Sequence, residues 1–412
     1  MHEPTLIQSP NLRKFSQPSK QVTLPSNTYI LSLASLPTRY AISTSSPSSD
    51  TIQLFDKSTL TPLSKFDGHQ GGNTFLRVVD RFAGEERKTL ISSGKDGFIK
   101  VWDERSKSCS IKLSNTSNDL SVLSFDVSLD GLLVAGGTAL QGEDALILYW
   151  DPRKPTKPIR THSSTHSDDI TCLHFQKQTT QIRNLLLSAS SDGLISTSDA
   201  DEDDEDEAVI HVANWLGCSI SQAGWLSSTS TSNSKSKVAG IWAASDMETF
   251  STWTDELDPL QSLDLRAPSV HTQDRTWVSD YLIACDISNN SNELMMFMGS
   301  NEGDIASIKN PTLGIPDSDM GSKAWSWTLQ NLWTHGHKEI VRSVLWDEKN
   351  GALLTGGEDG KLNLWSGFNP ENQGDDIDMD ESSMSSPGRR KREYEGDGDM
   401  DVDEEGSRKR RR

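Results

Sequence analysis

The sequence is poor in cysteine. It has four, Cys109, Cys172, Cys218 and Cys285, and none lies close enough to another to form a CxxC pair. That argues against a disulfide framework and fits reduced core thiols in the cytosol or nucleus. It also lacks any run of about 18 apolar residues, so no helix is expected to cross a membrane. The first residues, MHEPTLIQSPNLRK, have no apolar stretch of the signal-peptide kind. The sequon Asn115-Thr116-Ser117 therefore reads as chance. Basic residues are outnumbered, 40 Lys and Arg against 60 Asp and Glu, for a formal net charge of -20. A surface of that sign repels a phosphate backbone, and no direct specific nucleic-acid binding is expected. There is no P-loop, no GxGxxG and no GxSxG elbow, so no cofactor is expected and hydrolysis finds no support. Long amphipathic helical patterns are missing too.

What is present is β-type sequence. Across 412 residues, 33% are hydrophobic and 12 are Trp, enough for a large core. Short runs of β-branched and aromatic residues, such as Phe98-Ile99-Lys100-Val101-Trp102, alternate with Gly, Asp, Asn and Ser. TLISSGKDGFIKVWDERS (89 to 106) and ALLTGGEDGKLNLWSG (352 to 367) match almost position for position. Weaker copies begin at 39, 145, 185, 238 and 297. Their third-strand ends fall near Phe55, Trp102, Trp150, Ser198, Thr252, Ile308 and Trp365, about 50 residues apart.

Seven units of this kind resemble a WD-repeat β-propeller, over about residues 12 to 368. Within that superfamily the sequence is most similar to the WD repeat-containing protein 89 family. The similarity is carried by GHKEIVRSVLWDEKNGALLTGGEDGKLNLWS and by SSDGLISTSD with the following DEDEAVIHVANWLGCSISQAGW. The expected fold is all-β, a seven-bladed propeller over residues 1–369 followed by a disordered acidic and basic tail, 370–412. The last blade lacks an outer strand, which the segment from about Phe15 to Leu24 is expected to supply, closing the ring.

His69, Ser92, Asp96 and Trp102 could suggest a nucleophilic triad. The same spacing recurs as His337, Thr355, Asp359 and Trp365. Recurrence in two blades argues for structure, and the resemblance implies a hydrogen-bonded network inside each blade. His162, His166, Cys172 and His174 have a spacing that zinc can use. However, Cys172 and His174 alternate on one expected strand, and no metal is expected.

Trp102-Asp103-Glu104-Arg105 and Trp150-Asp151-Pro152-Arg153 are both WDxR, in consecutive blades. They resemble the box of propeller substrate receptors in cullin-4 ubiquitin ligases, which implies adaptor contacts for Arg105 and Arg153. The plainer reading is that each Arg caps its turn by pairing with the preceding Asp. The acidic block Asp199 to Glu207 is expected in a loop between a third and a fourth strand on the same face, and Ser227 to Lys237 in a flexible loop between a first and a second strand. Trp325, Trp327 and Trp333 are expected exposed, in a long connection before blade seven, as a candidate partner surface; the plainer reading is that they pack over the top of the blade. In the tail, Arg389-Arg390-Lys391-Arg392 and Arg408-Lys409-Arg410-Arg411-Arg412 resemble a bipartite nuclear import signal.

The expected function is a non-catalytic nuclear scaffold. Its partners would be other proteins, basic ones among them, and a nuclear import receptor, with the nucleus as the main compartment and the cytoplasm second. The alternative is a cullin-4 ligase substrate receptor. A hydrolase working at the propeller mouth has no convergent catalytic set behind it.

Overall fold

The computed structural model describes residues 5–115, 120–177, 183–226, 240–271, 276–288, 293–310 and 326–367. Two strands, β1 (Thr5–Phe15) and β2 (Lys20–Thr23), precede the first blade. Blade one is β3 (Tyr29–Ser35), β4 (Arg39–Ser45), β5 (Thr51–Asp56) and β6 (Pro62–Phe66). Blade two is β7 (Asn73–Val79), β8 (Thr89–Gly94), β9 (Phe98–Asp103) and β10 (Ser108–Ser114). Blade three is β11 (Val122–Val127), β12 (Val134–Thr138), β13 (Ala145–Trp150) and β14 (Arg160–His166). Blade four is β15 (Ile170–Phe175), β16 (Leu185–Ser190), β17 (Leu194–Asp199) and β18 (Val209–Asn214), with the one-turn helix α1 (Glu205–Ala208) before β18. Blade five is β19 (Ile220–Leu226), β20 (Gly240–Ser245), β21 (Thr249–Thr254) and β22 (Pro259–Asp264), followed by a small hairpin, β23 (Ser269–His271) and β24 (Thr276–Val278). Blade six is β25 (Tyr281–Ile287), β26 (Leu294–Gly299), β27 (Ile305–Lys309) and β28 (Ser326–Trp333). Blade seven is β29 (Val341–Asp347), β30 (Ala352–Gly357) and β31 (Lys361–Ser366), completed by β2.

The chain is thus a seven-bladed, all-β propeller. Every blade is an antiparallel meander, and the first strands of neighbouring blades touch around the centre. Closure runs through β2, antiparallel to β31 from Lys20 opposite Leu364 to Thr23 opposite Lys361. β1 does something the sequence pattern did not signal. It lies parallel to β28 as a fifth strand on blade six, and Phe15 stacks on Trp333 with ring centroids 5.6 Å apart.

The core follows from this layout. Among the described residues it consists of seven apolar clusters, each shared by two adjacent blades. Tyr40, Phe55 and Leu354 join blades one and seven, so the ring is held by packing as well as by β2. Two glycines mark how close the blades come. A Cβ on Gly137 would sit 2.5 Å from Ile170 Cγ2, and one on Gly356 would sit 2.4 Å from Ile30 Cγ2. Both isoleucines open the next blade, so any side chain there would push the blades apart.

Trp327 and Trp333 are buried in β28, the outer strand of blade six, and are not an exposed loop cluster. β28 pairs with β27 across a long insertion, which hid it as a strand. Trp325 lies outside the described residues, as do Ser227 to Lys237 and the tail. Of the cysteines, Cys172 is buried and Cys218 and Cys285 are partly so, but Cys109 is exposed on the rim strand β10 rather than in the core.

Candidate interaction surfaces and the networks beneath them

In blade two, Trp102 Nε1 donates to Ser92 Oγ at 2.8 Å, and Ser92 lies 2.7 Å from His69 Nε2. His69 Nδ1 is 2.6 Å from Asp96 Oδ1. Burial favours the neutral His69 ring, lowering its pKa. A carboxylate only accepts, so the ring proton is assigned to Nδ1, which donates to Asp96. Burial works against the charged Asp96 carboxylate, but His69 and Lys100 outweigh it and hold that group well below the usual carboxylate range. Blade seven repeats the set. Trp365 Nε1 donates to Thr355 Oγ1 at 3.1 Å, and His337 stands 2.8 Å from Thr355 and 3.0 Å from Asp359. Ser92 and Thr355 have no exposed surface, and the Trp ring covers each hydroxyl. A nucleophile so enclosed meets no substrate. These four-residue sets fix the second-to-third-strand turns and fill buried hydrogen-bonding positions.

Other blades keep part of the set and fill the gaps differently. In blade four His166 reaches Ser188 at 2.8 Å, but Ser198 stands in the Trp position. Tyr149 of blade three occupies that space, lying beside Ser198 with the Arg160 guanidinium 4.8 Å from its ring centre. In blade three, glycine replaces the hydroxyl residue, so Trp150 Nε1 donates across to Ser114 O of blade two at 2.8 Å. In blade five the register break falls between Thr252 and Trp253, which puts Trp253, not Thr252, in the Trp position. Its turn holds Glu248 at φ 58, where blade four has Gly193. Glu248 offsets that strained backbone by accepting from Leu282 N at 2.9 Å.

A buried charge cluster spans three blades near the centre. Asp126 of β11, with no exposed surface, lies 2.5 Å from Arg77 of β7 and 3.1 Å from Lys177, and accepts from Phe175 N at 2.9 Å. Arg77 also donates to His174 Nδ1 at 3.0 Å. Burial would raise the Asp126 carboxyl, but the cations beside it overcome that and hold it near about 2. Burial and Arg77 push His174 down to about 3, so it stays neutral and accepts. Cys172, on the same strand, approaches Ser221 O instead. Among the described residues no group of three His, Cys, Asp or Glu is arranged to hold a metal.

The two WDxR arginines both follow a third strand, so they share one face. Arg105 is 83% exposed and its Nε stands 3.7 Å from Asp103. Arg153 is 58% exposed, but both arms of its guanidinium grip Asp151, at 2.8 and 2.9 Å. Arg153 therefore caps its own turn while remaining accessible.

The acidic block is more ordered than its composition suggests. Glu205 accepts from the backbone N–H groups of Ser163, Ser164 and Thr165, at 2.7 to 2.8 Å. Asp203 pairs with Arg160 at 2.6 Å. Part of the block thus docks on β14, the rim of blade three.

Residues 60–103 and 328–366, the segments holding the two complete networks, match the family described as WD domain, G-beta repeat. These two segments are WD repeats, in a chain that folds as a seven-bladed propeller. Relatives extend the likeness over most of its length. The WD repeat-containing protein 89 homolog of Dictyostelium discoideum is 28% identical over 342 residues, 82% of each chain. WD repeat-containing protein GTS1 of Arabidopsis thaliana is 29% identical over 340 residues, 77% of this chain and 76% of its own. An uncharacterised WD repeat-containing protein of Saccharomyces cerevisiae is 34% identical over 220 residues, 52% of this chain and 51% of its own. WD-repeat propellers are typically platforms for protein–protein interaction, and the likeness suggests that role here.

Proposed function

We propose that this WD-repeat protein is a non-catalytic nuclear scaffold that gathers partner proteins on its loops and rim. The observation that carries the reading is the complete burial of Ser92 and Thr355 inside their own blades. The residues with chemical potential hold the ring together, leaving exposed turns and edges for binding. The nuclear part rests on the two basic clusters of the tail, 389–392 and 408–412. Their exchangeable positive charge suits the acidic grooves of an import receptor. Deleting residues 389–412 is expected to move a fluorescently tagged chain into the cytoplasm; an unchanged nuclear fraction would remove that part of the reading.

A second reading is the cullin-4 substrate receptor, favoured by the exposure of both Arg105 and Arg153 on one face. An Arg fork suits carboxylates at an interface. Arg105→Ala with Arg153→Ala should leave stability nearly unchanged, because exposed ion pairs contribute only about 0–1 kcal/mol. On this reading, affinity capture from nuclear extract recovers the adaptor with wild type and loses it with the double variant. No adaptor in either sample ends the reading, and partners retained in both define the scaffold.

A further inference from the structure

Each propeller blade ends in a rim strand whose outer edge has no neighbour unless something covers it. Unpaired edges invite other strands, and natural sheets usually blunt them with charge or short length. On blade six the edge is taken by β1. On blade three, Glu205 occupies successive N–H groups of β14. Blades one, two and five end in polar strands, PLSKF, SCSIKLS and PLQSLD.

β18, the rim of blade four, departs from this. Its sequence is VIHVAN, and the alternation turns Ile210 and Val212 outward, 40% and 51% exposed. Leu216, two residues past the strand, is 83% exposed. Among the described residues no other rim strand shows such a series, and no strand pairs with the outer edge of β18. At its start stand Asp206 and Glu207, exposed and engaged by no ion pair among the described residues.

We infer that the β18 edge is a docking site for an extended segment of a partner protein. That segment adds as a fifth strand, with apolar residues alternating along it and Lys or Arg at the end beside Asp206 and Glu207. β1 on blade six shows that a rim of this propeller accepts a fifth strand. Backbone pairing supplies affinity, while Ile210 and Val212 select apolar residues at every second position. Asp206 and Glu207, exposed at the start of the strand, select the basic end. This rests on the scaffold reading above and names the chemistry of one partner.

The test pans a displayed library of random peptides, about 10 residues long to match a long strand, on the full-length protein. Val212→Lys is the first comparison, since lysine on an exposed edge disfavours strand addition without touching the core. Asp206→Lys with Glu207→Lys is the second. Enriched peptides should alternate apolar residues and end in Lys or Arg. Each variant should weaken them about tenfold or more. If the enriched peptides bind Val212→Lys as tightly as wild type, or carry no basic end, the inference falls. Sedimentation showing a wild-type dimer that Val212→Lys dissolves would assign the edge to a second copy and also overturn it. Nuclear partners captured equally by wild type and Val212→Lys would remove the edge while leaving the scaffold reading intact.

Discussion

Replacing Asp126 by alanine should destabilise the propeller by about 3–5 kcal/mol, the cost of removing one partner from a buried ion network. Asp126 has no exposed surface and answers Arg77, Lys177 and the Phe175 N–H, so its loss strands charge and donor together. Most of the cost comes from Arg77, which is largely enclosed, while Lys177 is about half exposed and can turn to water. Arg77→Met in the same chain should recover part of the loss, since it removes the stranded guanidinium, while the Phe175 N–H and His174 Nδ1 stay without their partners. Denaturant midpoints of wild type, both single variants and the double variant measure this. Additive costs would mean that the cluster is not a coupled unit.

The sign of the pH effect follows. The folded pKa of Asp126 is depressed to about 2, against about 3.9 for an unfolded aspartate. Its contribution is therefore fully present above about pH 4 and disappears as pH falls through the folded value. The stability gap between wild type and Asp126→Ala should narrow over that acid range and stay constant near neutrality.

The second large effect is expected at Trp365. Truncation to alanine removes a fully buried indole from the cluster shared by blades six and seven, at a cost of about 3–5 kcal/mol. It also leaves Thr355 Oγ1 without its donor. Trp365→Phe keeps most of the volume and loses only the N–H, so it should cost about 1–3 kcal/mol. Urea midpoints would separate the two, and equal losses would show that packing contributes little beyond the hydrogen bond.

How far the sequence announces this structure depends on the blade. Blades two and seven carry Asp-Gly turns, a His and a terminal Trp, and each residue has a required partner, so both the repeat and its network are legible. Blade four hides its compensation, because Tyr149, which fills the place of the absent Trp, belongs to the preceding repeat. Blade five has Glu248, not Gly, at the positive-φ turn position, and the expected third-strand end, Thr252, falls one residue before the Trp position. The strand β28 reads as a connection because a long insertion, rich in turn residues of its own, separates it from β27. β1 was invisible for a different reason: alternation along a strand says nothing about a parallel partner more than 300 residues away. Side-chain spacing puts Arg105 and Arg153 on one face and offers each its preceding Asp as a partner; the fold takes up that pairing closely at Arg153 and only loosely at Arg105.

The two N-terminal strands impose an order on the making of the molecule. β2 leaves the ribosome early, yet its partner β31 is among the last strands of the propeller to appear. β1 waits nearly as long for β28. Throughout synthesis both segments travel as open edges while the intermediate blades can already pack on their neighbours. The closing pairing therefore joins the first strands of the propeller to the last. A contact so distant along the chain is slow to find and exposes unpaired strand until it forms, so the nascent protein is most vulnerable to mispairing just before the circle closes.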